Sequence, residues 1–524
     1  MTTATVDAAA DMPKAPKSYS RLVELLAEVT NLAHAGSVLF WDQQTMMPKG
    51  GAKARGSQMA ALNKVRHEKF TSPEIGRLLE DLRDYEVSLP YDSDEAATIR
   101  VARREYEKAT RVPPELVARL SEAGAEGLEA WLQAREARDY KIFRPALEKT
   151  VQVMREVADA LGYEEHPLDA LVDQTEPGLK TADIDRLFAE LREGLVPLVR
   201  AIAAKAGTVD DSFLHQPFDR DKQVAAAREA VRAIGFDLET RGRMDFSVHP
   251  YTIDMCPDDV RITTRVNENF LNTCFFACLH EAGHGLYGQG IPSRFAESIL
   301  GDGASAGLHE SQSRLWENLV GRSRAFWRFF YPRLQAYFPA QLGPVPLEAF
   351  YRAVNKVQPS FIRVEADEVT YNLHIMVRWE LEKAVFDGRL AVKDLAEAWN
   401  AKFREYLGLE PPDDLVGVLQ DIHWTTRFGA AFTSYTIGNV ASVQLYDAAA
   451  AALGGEAGLA ELIGRGEFAP LREWTNRNVH AWGAKLRPQE LLEKVTGRPL
   501  DVGPYLAYIR RKFGGIYSDE REER

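Results

Sequence analysis

His280 and His284 stand four residues apart in the run CLHEAGHGLYGQG, with Glu281 directly after the first. On an α-helix, positions four apart differ by only about 40° around the axis, so both imidazoles project from one face. Two imidazoles stacked in this way can hold one divalent ion, at about 2.0–2.1 Å if it is zinc. Glu281 lies about 100° round from His280. It flanks the ion without being forced to ligate it, which is where a general base for an activated water belongs. The bland alternative is two histidines sharing a helix by accident. Against it stands the apolar approach NFLNTCFFACL, which marks a buried helix, and glycines 285, 288 and 290 are expected to end that helix.

Two protein ligands are too few, because catalytic zinc usually takes three plus water. An extended motif with a third histidine would need Gly at 287 and His at 290, and the chain has Tyr287 and Gly290. A glutamate from the next helix is the alternative. GDGASAGLHESQSRLWENLVGR offers Glu310 and Glu317, after a glycine-rich turn back. Glu310 is preferred for its neighbours His309 and Gln312, whereas Glu317 is read as a surface residue or a partner behind a ligand. Such a site suits hydrolysis of an amide or ester carbonyl, with Glu281 taking the proton. Cys274 and Cys278, one turn apart just before the histidine motif, are read as small buried apolar groups rather than extra ligands.

The elements that must position these residues are mostly helical. YSRLVELLAEVTNLAHAGSVL puts Leu22, Leu25, Leu26, Val29 and Leu32 on one stripe. Pro113 and Pro114 open one helix, Thr181 and Asp183 offer a cap for another, and GLEPPDD ends one near Leu407. One segment, MDFSVHPYTIDMCPDDVRITTRV, alternates and is β-branched. It predicts a small sheet, Asp245–Ile253 pairing with Val260–Val266, just before the histidine helix. No repeat or linker interrupts the chain. A single catalytic unit over 19–517 is expected, between an N-terminal tail (1–18) and a charged C-terminal tail (518–524).

With 524 residues, 45% of them hydrophobic, there is ample material for a large core. A net charge of −13 excludes nucleic acid and anionic membrane as expected partners. Three cysteines make no disulfide framework and suit a reducing compartment. With no apolar leader and no long apolar span, a cytoplasmic protein is expected.

Further motifs follow in a fixed order. HPY spans His249–Tyr251, DVRIT spans Asp259–Thr263, and HESQ spans His309–Gln312. IRVEAD spans Ile362–Asp367, and GVLQDIHW spans Gly417–Trp424. Together with HEAGH, and with an N-terminal stretch over Leu39–Glu68, the chain resembles the carboxypeptidase Taq family of metallocarboxypeptidases. Tyr251 replaces that family's phenylalanine, and the likeness runs from about Tyr19 to Tyr517. The resemblance implies a mainly α, elongated subunit with a deep groove and a small sheet beside the HExxH helix. It implies a divalent metal, zinc or cobalt among the candidates, one per subunit. It implies release of single C-terminal residues from peptides, and a homodimer. It also supports Glu310 as the third ligand.

A carboxypeptidase must hold a free carboxylate, and arginine does this best with its planar fork. Arg363 is the first choice, with Arg261 and Arg427 as candidates. Asp259 is expected to pair with Arg261 and shape the closed end of the groove. His249 and Gln420 enter as substrate-binding residues through their motifs. His423 and Tyr435 are candidate donors to the transition-state oxyanion. Two other readings compete: a zinc oligopeptidase cutting inside short peptides, and a catalytically silent peptide-binding protein.

Overall fold

The computed structural model describes residues 14–518; residues 1–13 and 519–524, most of the two expected tails, lie outside the described residues. Helix begins at Lys17, inside the span expected as tail, behind Pro16, whose fixed φ suits the position before a first turn. A hairpin of two long helices, Lys17–Thr45 and Ala52–Phe70, leads the chain. Leu22 and Leu26 of the expected stripe are buried, in a small cluster with Ile75, Leu79, Leu82 and Ile99. Helix after helix then packs around a second, much larger apolar cluster that encloses the histidine helix. Among the described residues no helix is long and apolar enough to cross a membrane.

The helix boundaries obey the local signals. Pro114 is the first residue of Pro114–Ala137. Asp183 accepts from the Lys180 amide (3.3 Å) at the start of Thr181–Ala203. Gly408, at φ +69°, stops Leu395–Leu407 in a conformation that costs glycine little.

The sheet has three strands rather than the expected two: β1 (Gly242–Phe246), β2 (Thr252–Cys256) and β3 (Asp259–Thr264). β3 lies in the middle, parallel to β1 and antiparallel to β2. Residues 247–251 cross over the end of β3 instead of continuing one strand. Pro250 cannot donate to a ladder, and Ser247 Oγ turns back onto the His249 carbonyl (2.6 Å). Alternation then sets two faces. Val260, Ile262 and Thr264 face the histidine helix, where Thr264 Oγ1 meets Cys274 Sγ at 3.8 Å. Asp259 and Arg261 face the N-terminal hairpin, where Arg261 lies 4.5 Å over the Trp41 ring.

Candidate metal centre

The histidine helix runs Asn272–Gly290, so of the three glycines expected to end it only Gly290 does. Gly285 and Gly288 lie within it because neighbours press there: a Cβ would come within 2.4 Å of the Phe236 ring and 2.6 Å of Asp254. Gly283, inside the motif, is the decisive one. A Cβ there would meet the Gln312 carbonyl oxygen and Ser313 Cα, both at 2.6 Å. Without a side chain at 283, the next helix, Ala306–Arg314, can lie directly against the histidine helix. Ser305 caps that helix, accepting from the Leu308 amide (3.0 Å), and Glu310 projects from its middle. Helix Thr433–Ala452 closes the other side; a Cβ on Gly438 would sit 2.5 Å from Glu310 Cβ and Cγ.

This packing brings Glu310 Oε2 to 3.3 Å from His284 Nε2 and 3.7 Å from His280 Nε2. The ligating atoms of His280, His284 and Glu310 all lie within 4.8 Å of one another. Each histidine's other nitrogen is taken. His280 Nδ1 faces Glu317 Oε2 at 3.0 Å, and His284 Nδ1 faces His309 Nδ1 at 2.8 Å. The Glu317 carboxylate accepts from His280 Nδ1 and so leaves His280 Nε2 free for a metal, while the His309 ring orients His284. Glu310 in turn receives Arg314 Nε on Oε1 at 2.7 Å, leaving Oε2 toward the histidines. Burial alone would raise the Glu310 carboxyl; Arg314 and the two histidines more than offset it and hold it ionised. Two imidazoles and one carboxylate form a donor set that fits a divalent catalytic metal.

Of the two readings of Glu317, surface residue or partner behind His280, the structure shows the second. Glu317 sits at 9% exposure on a π-helical turn, Leu315–Gly321, held by Arg314 and by Arg322 (3.0 Å). The wider turn is what swings it back under His280. Cys274 and Cys278 are buried on the side away from the ligands, Cys278 Sγ 3.7 Å from Met244 Sδ. Glu281 is also buried, which raises its carboxyl above the ordinary range. Its Oε2 accepts from Thr252 Oγ1 at 2.7 Å.

The expected substrate residues divide. Arg363 is buried and committed: Nη2 and Nε bind Asp421 (2.8 and 3.2 Å), and Nη1 donates to the Tyr371 hydroxyl (3.0 Å). Arg378 grips the second oxygen of the same carboxylate (Nε to Oδ2 2.7 Å). Gln420 accepts from the Arg363 amide and donates to main-chain carbonyls such as Phe361 O (2.9 Å), so it braces the loop. Asp259 and Arg261 pair with each other (2.6 Å) on the sheet face opposite the metal centre, and are not brought to it. His249 is exposed, its Nδ1 against the Pro250 carbonyl. Arg427 is exposed, and its guanidinium has no hydrogen-bond partner among the described residues. Its amide donates to the His423 carbonyl (2.9 Å), which ties the two residues to one turn. Burial, then Arg363, pulls His423 down to about 4, so it is neutral near pH 7. Burial pushes Tyr435 up to about 12, so its hydroxyl keeps its proton.

Sequence reading missed Arg314, Thr252 and Arg378. Arg314 carried a signal, since it lies four residues after Glu310 on one helix. Thr252 and Arg378 carried none, because only the tertiary fold brings them to their partners.

A half-buried His₂Glu donor set, with a carboxylate beside it on a helical scaffold, defines the class as metallopeptidase. The family model for carboxypeptidase Taq (M32) metallopeptidases matches residues 21–513. The chain is 44% identical over 510 residues to thermostable carboxypeptidase 1 of Thermus thermophilus, covering 95% of this chain and 99% of that protein. It is 35% identical to carboxypeptidase 1 of Bacillus subtilis, covering 94% and 97%. Among solved structures, an M32 carboxypeptidase from Deinococcus radiodurans superposes with a TM-score of 0.92 at 42% identity, covering 96% and 100%. A Pyrococcus furiosus carboxypeptidase gives 0.92 at 34%, with the same coverage. The chain belongs to the carboxypeptidase Taq (M32) family. It is a mainly helical metallocarboxypeptidase that uses a divalent metal.

Proposed function

We propose that the protein releases single residues from the C-terminus of peptides, with zinc held by His280, His284 and Glu310 and with Glu281 as general base. The observation that carries this reading is the convergence of His280, His284 and Glu310, with donor atoms within 4.8 Å of one another, beside the buried Glu281 carboxylate. When bound, the metal supplies Lewis acidity that makes water nucleophilic near neutral pH. Glu281 accepts the proton of the attacking water and delivers it to the leaving amine. Tyr435, whose hydroxyl keeps its proton, donates to the developing oxyanion. His423 stands as the second donor. Cobalt suits the same donor set.

The terminal carboxylate needs a guanidinium with free donors. Arg363 was the expectation from sequence, but its donors are spent on Asp421 and Tyr371. We therefore assign the contact to Arg427, on the turn that carries His423, with Arg363 bracing that turn through Asp421 and Gln420. A homodimer and a cytoplasmic location, where three free cysteines are at home, belong to the same reading. Mass spectrometry of an unblocked peptide digest tests it. A ladder of single C-terminal losses, abolished by chelator and restored by zinc or cobalt, is expected. Internal fragments would favour the oligopeptidase, and no turnover in metal-loaded protein would favour the silent binding protein.

A further inference from the structure

The three-stranded sheet places one hydroxyl against the proposed base. Thr252 opens β2, and its register opposite Ile262 turns it to the face that packs on the histidine helix. There Thr252 Oγ1 lies 2.7 Å from Glu281 Oε2 and 2.9 Å from the Glu281 main-chain carbonyl oxygen. One hydroxyl therefore touches two oxygens of the same residue. It can do so only when the Glu281 side chain folds back toward its own backbone, which selects a single rotamer. Glu281 Oε1 has no hydrogen-bond partner among the described residues and is left to accept a proton. Thr252 is itself held by the ladder to β3, whose apolar residues are buried against the same helix.

We propose that Thr252 is a positioning residue for the peptidase reaction: it pins one oxygen of Glu281 so that the other is presented to the attacking water. This rests on the reading of Glu281 as general base. The hydroxyl touches no metal ligand and none of the residues assigned to the substrate. Its loss should slow the chemical step while leaving metal and substrate binding intact. A base free to swing by about 1 Å costs on the order of 10²-fold in rate.

The test is a double-mutant cycle on the full-length, metal-loaded enzyme, since coupling between two residues appears as non-additivity. Thr252→Val keeps the β-branched shape and removes the hydroxyl. We expect kcat to fall about 10²-fold, with KM and metal content unchanged, and Thr252→Ser to restore it. In a Glu281→Gln background, Thr252→Val should cost nothing further. An unchanged kcat in Thr252→Val overturns the proposal, as does loss of metal, an altered KM, or the same fold loss in both backgrounds. Should the valine variant fail to fold, Thr252→Ala carries the same expectations. Full activity in metal-loaded Glu281→Gln would sink the general-base reading itself, a result distinct from additivity in the cycle.

Discussion

His280 and Glu317 meet at 3.0 Å, Nδ1 to Oε2, so this carboxylate holds Nδ1 and leaves Nε2 toward the proposed metal site. Glu317→Gln keeps the shape but weakens the acceptor and removes the negative charge that faces Arg314 and Arg322. Metal affinity should fall about 10–100-fold, the usual cost of losing an outer partner. Competition against a chelator measures it. An unchanged affinity would mean that His280 needs no orienting group.

Gly283 is the contact point between the two helices that carry the ligands. Gly283→Ala must push back main-chain atoms, since the nearest neighbours of its Cβ are the Gln312 carbonyl oxygen and Ser313 Cα at 2.6 Å. Overpacking of this kind costs ~1–3 kcal/mol, and any relaxation moves Glu310 away from the histidines. A lower melting temperature together with weaker metal binding is expected. Loss of stability with metal affinity intact would separate the packing from the site.

Arginine variants divide carboxylate recognition from structure. Arg427→Ala should lose about 10²-fold or more in kcat/KM on free-acid peptides, in line with a charged contact of ~2–5 kcal/mol. It should lose little on C-terminally amidated ones. Arg363→Ala should impair both alike, because it leaves Asp421 with one arginine instead of two. A selective loss in Arg363→Ala and none in Arg427→Ala would return the contact to Arg363.

Burial drives three histidines outside the proposed ligand set far below their ordinary pKa, among them His480 to about 3 and His423 to about 4. In the unfolded chain each binds a proton near pH 6.5. Between pH 6.5 and these lowered values the unfolded state holds more protons, so stability is present above about 6.5 and is lost as pH falls. His480, fully buried between Asn476 and Gln312, should contribute more of that slope. The melting temperature of His480→Gln should fall less steeply between pH 6.5 and 4 than that of wild type. Equal slopes would show that His480 does not titrate across that range.

Much of the proposed ligand set was legible because helix geometry is local: a spacing of four puts His280 and His284 on one face without reference to anything else. Glu310 was legible as one of two candidates, since two glutamates one or two turns apart on one helix cannot be ranked by spacing alone. In the sequence Glu317 stays open between a surface charge and a partner behind a ligand, because the π-helical turn that swings it under His280 leaves no mark in the residue types. The sheet was visible as alternation, but its third strand was hidden. Ser247–Tyr251 continues the alternating pattern, and only Pro250 and the Ser247 turn break the ladder. Arg363 beside apolar neighbours read as a desolvated guanidinium awaiting a ligand. Its ligand is Asp421, 58 positions on, a pairing that local pattern cannot show.

Elemental analysis of purified Glu310→Gln beside wild type tests the central claim most directly. The substitution keeps the size of the third ligand, removes its charge and leaves both histidines in place. The wild type should hold one divalent ion per chain and Glu310→Gln almost none after dialysis. A full equivalent of metal retained by Glu310→Gln would contradict the assignment of the site.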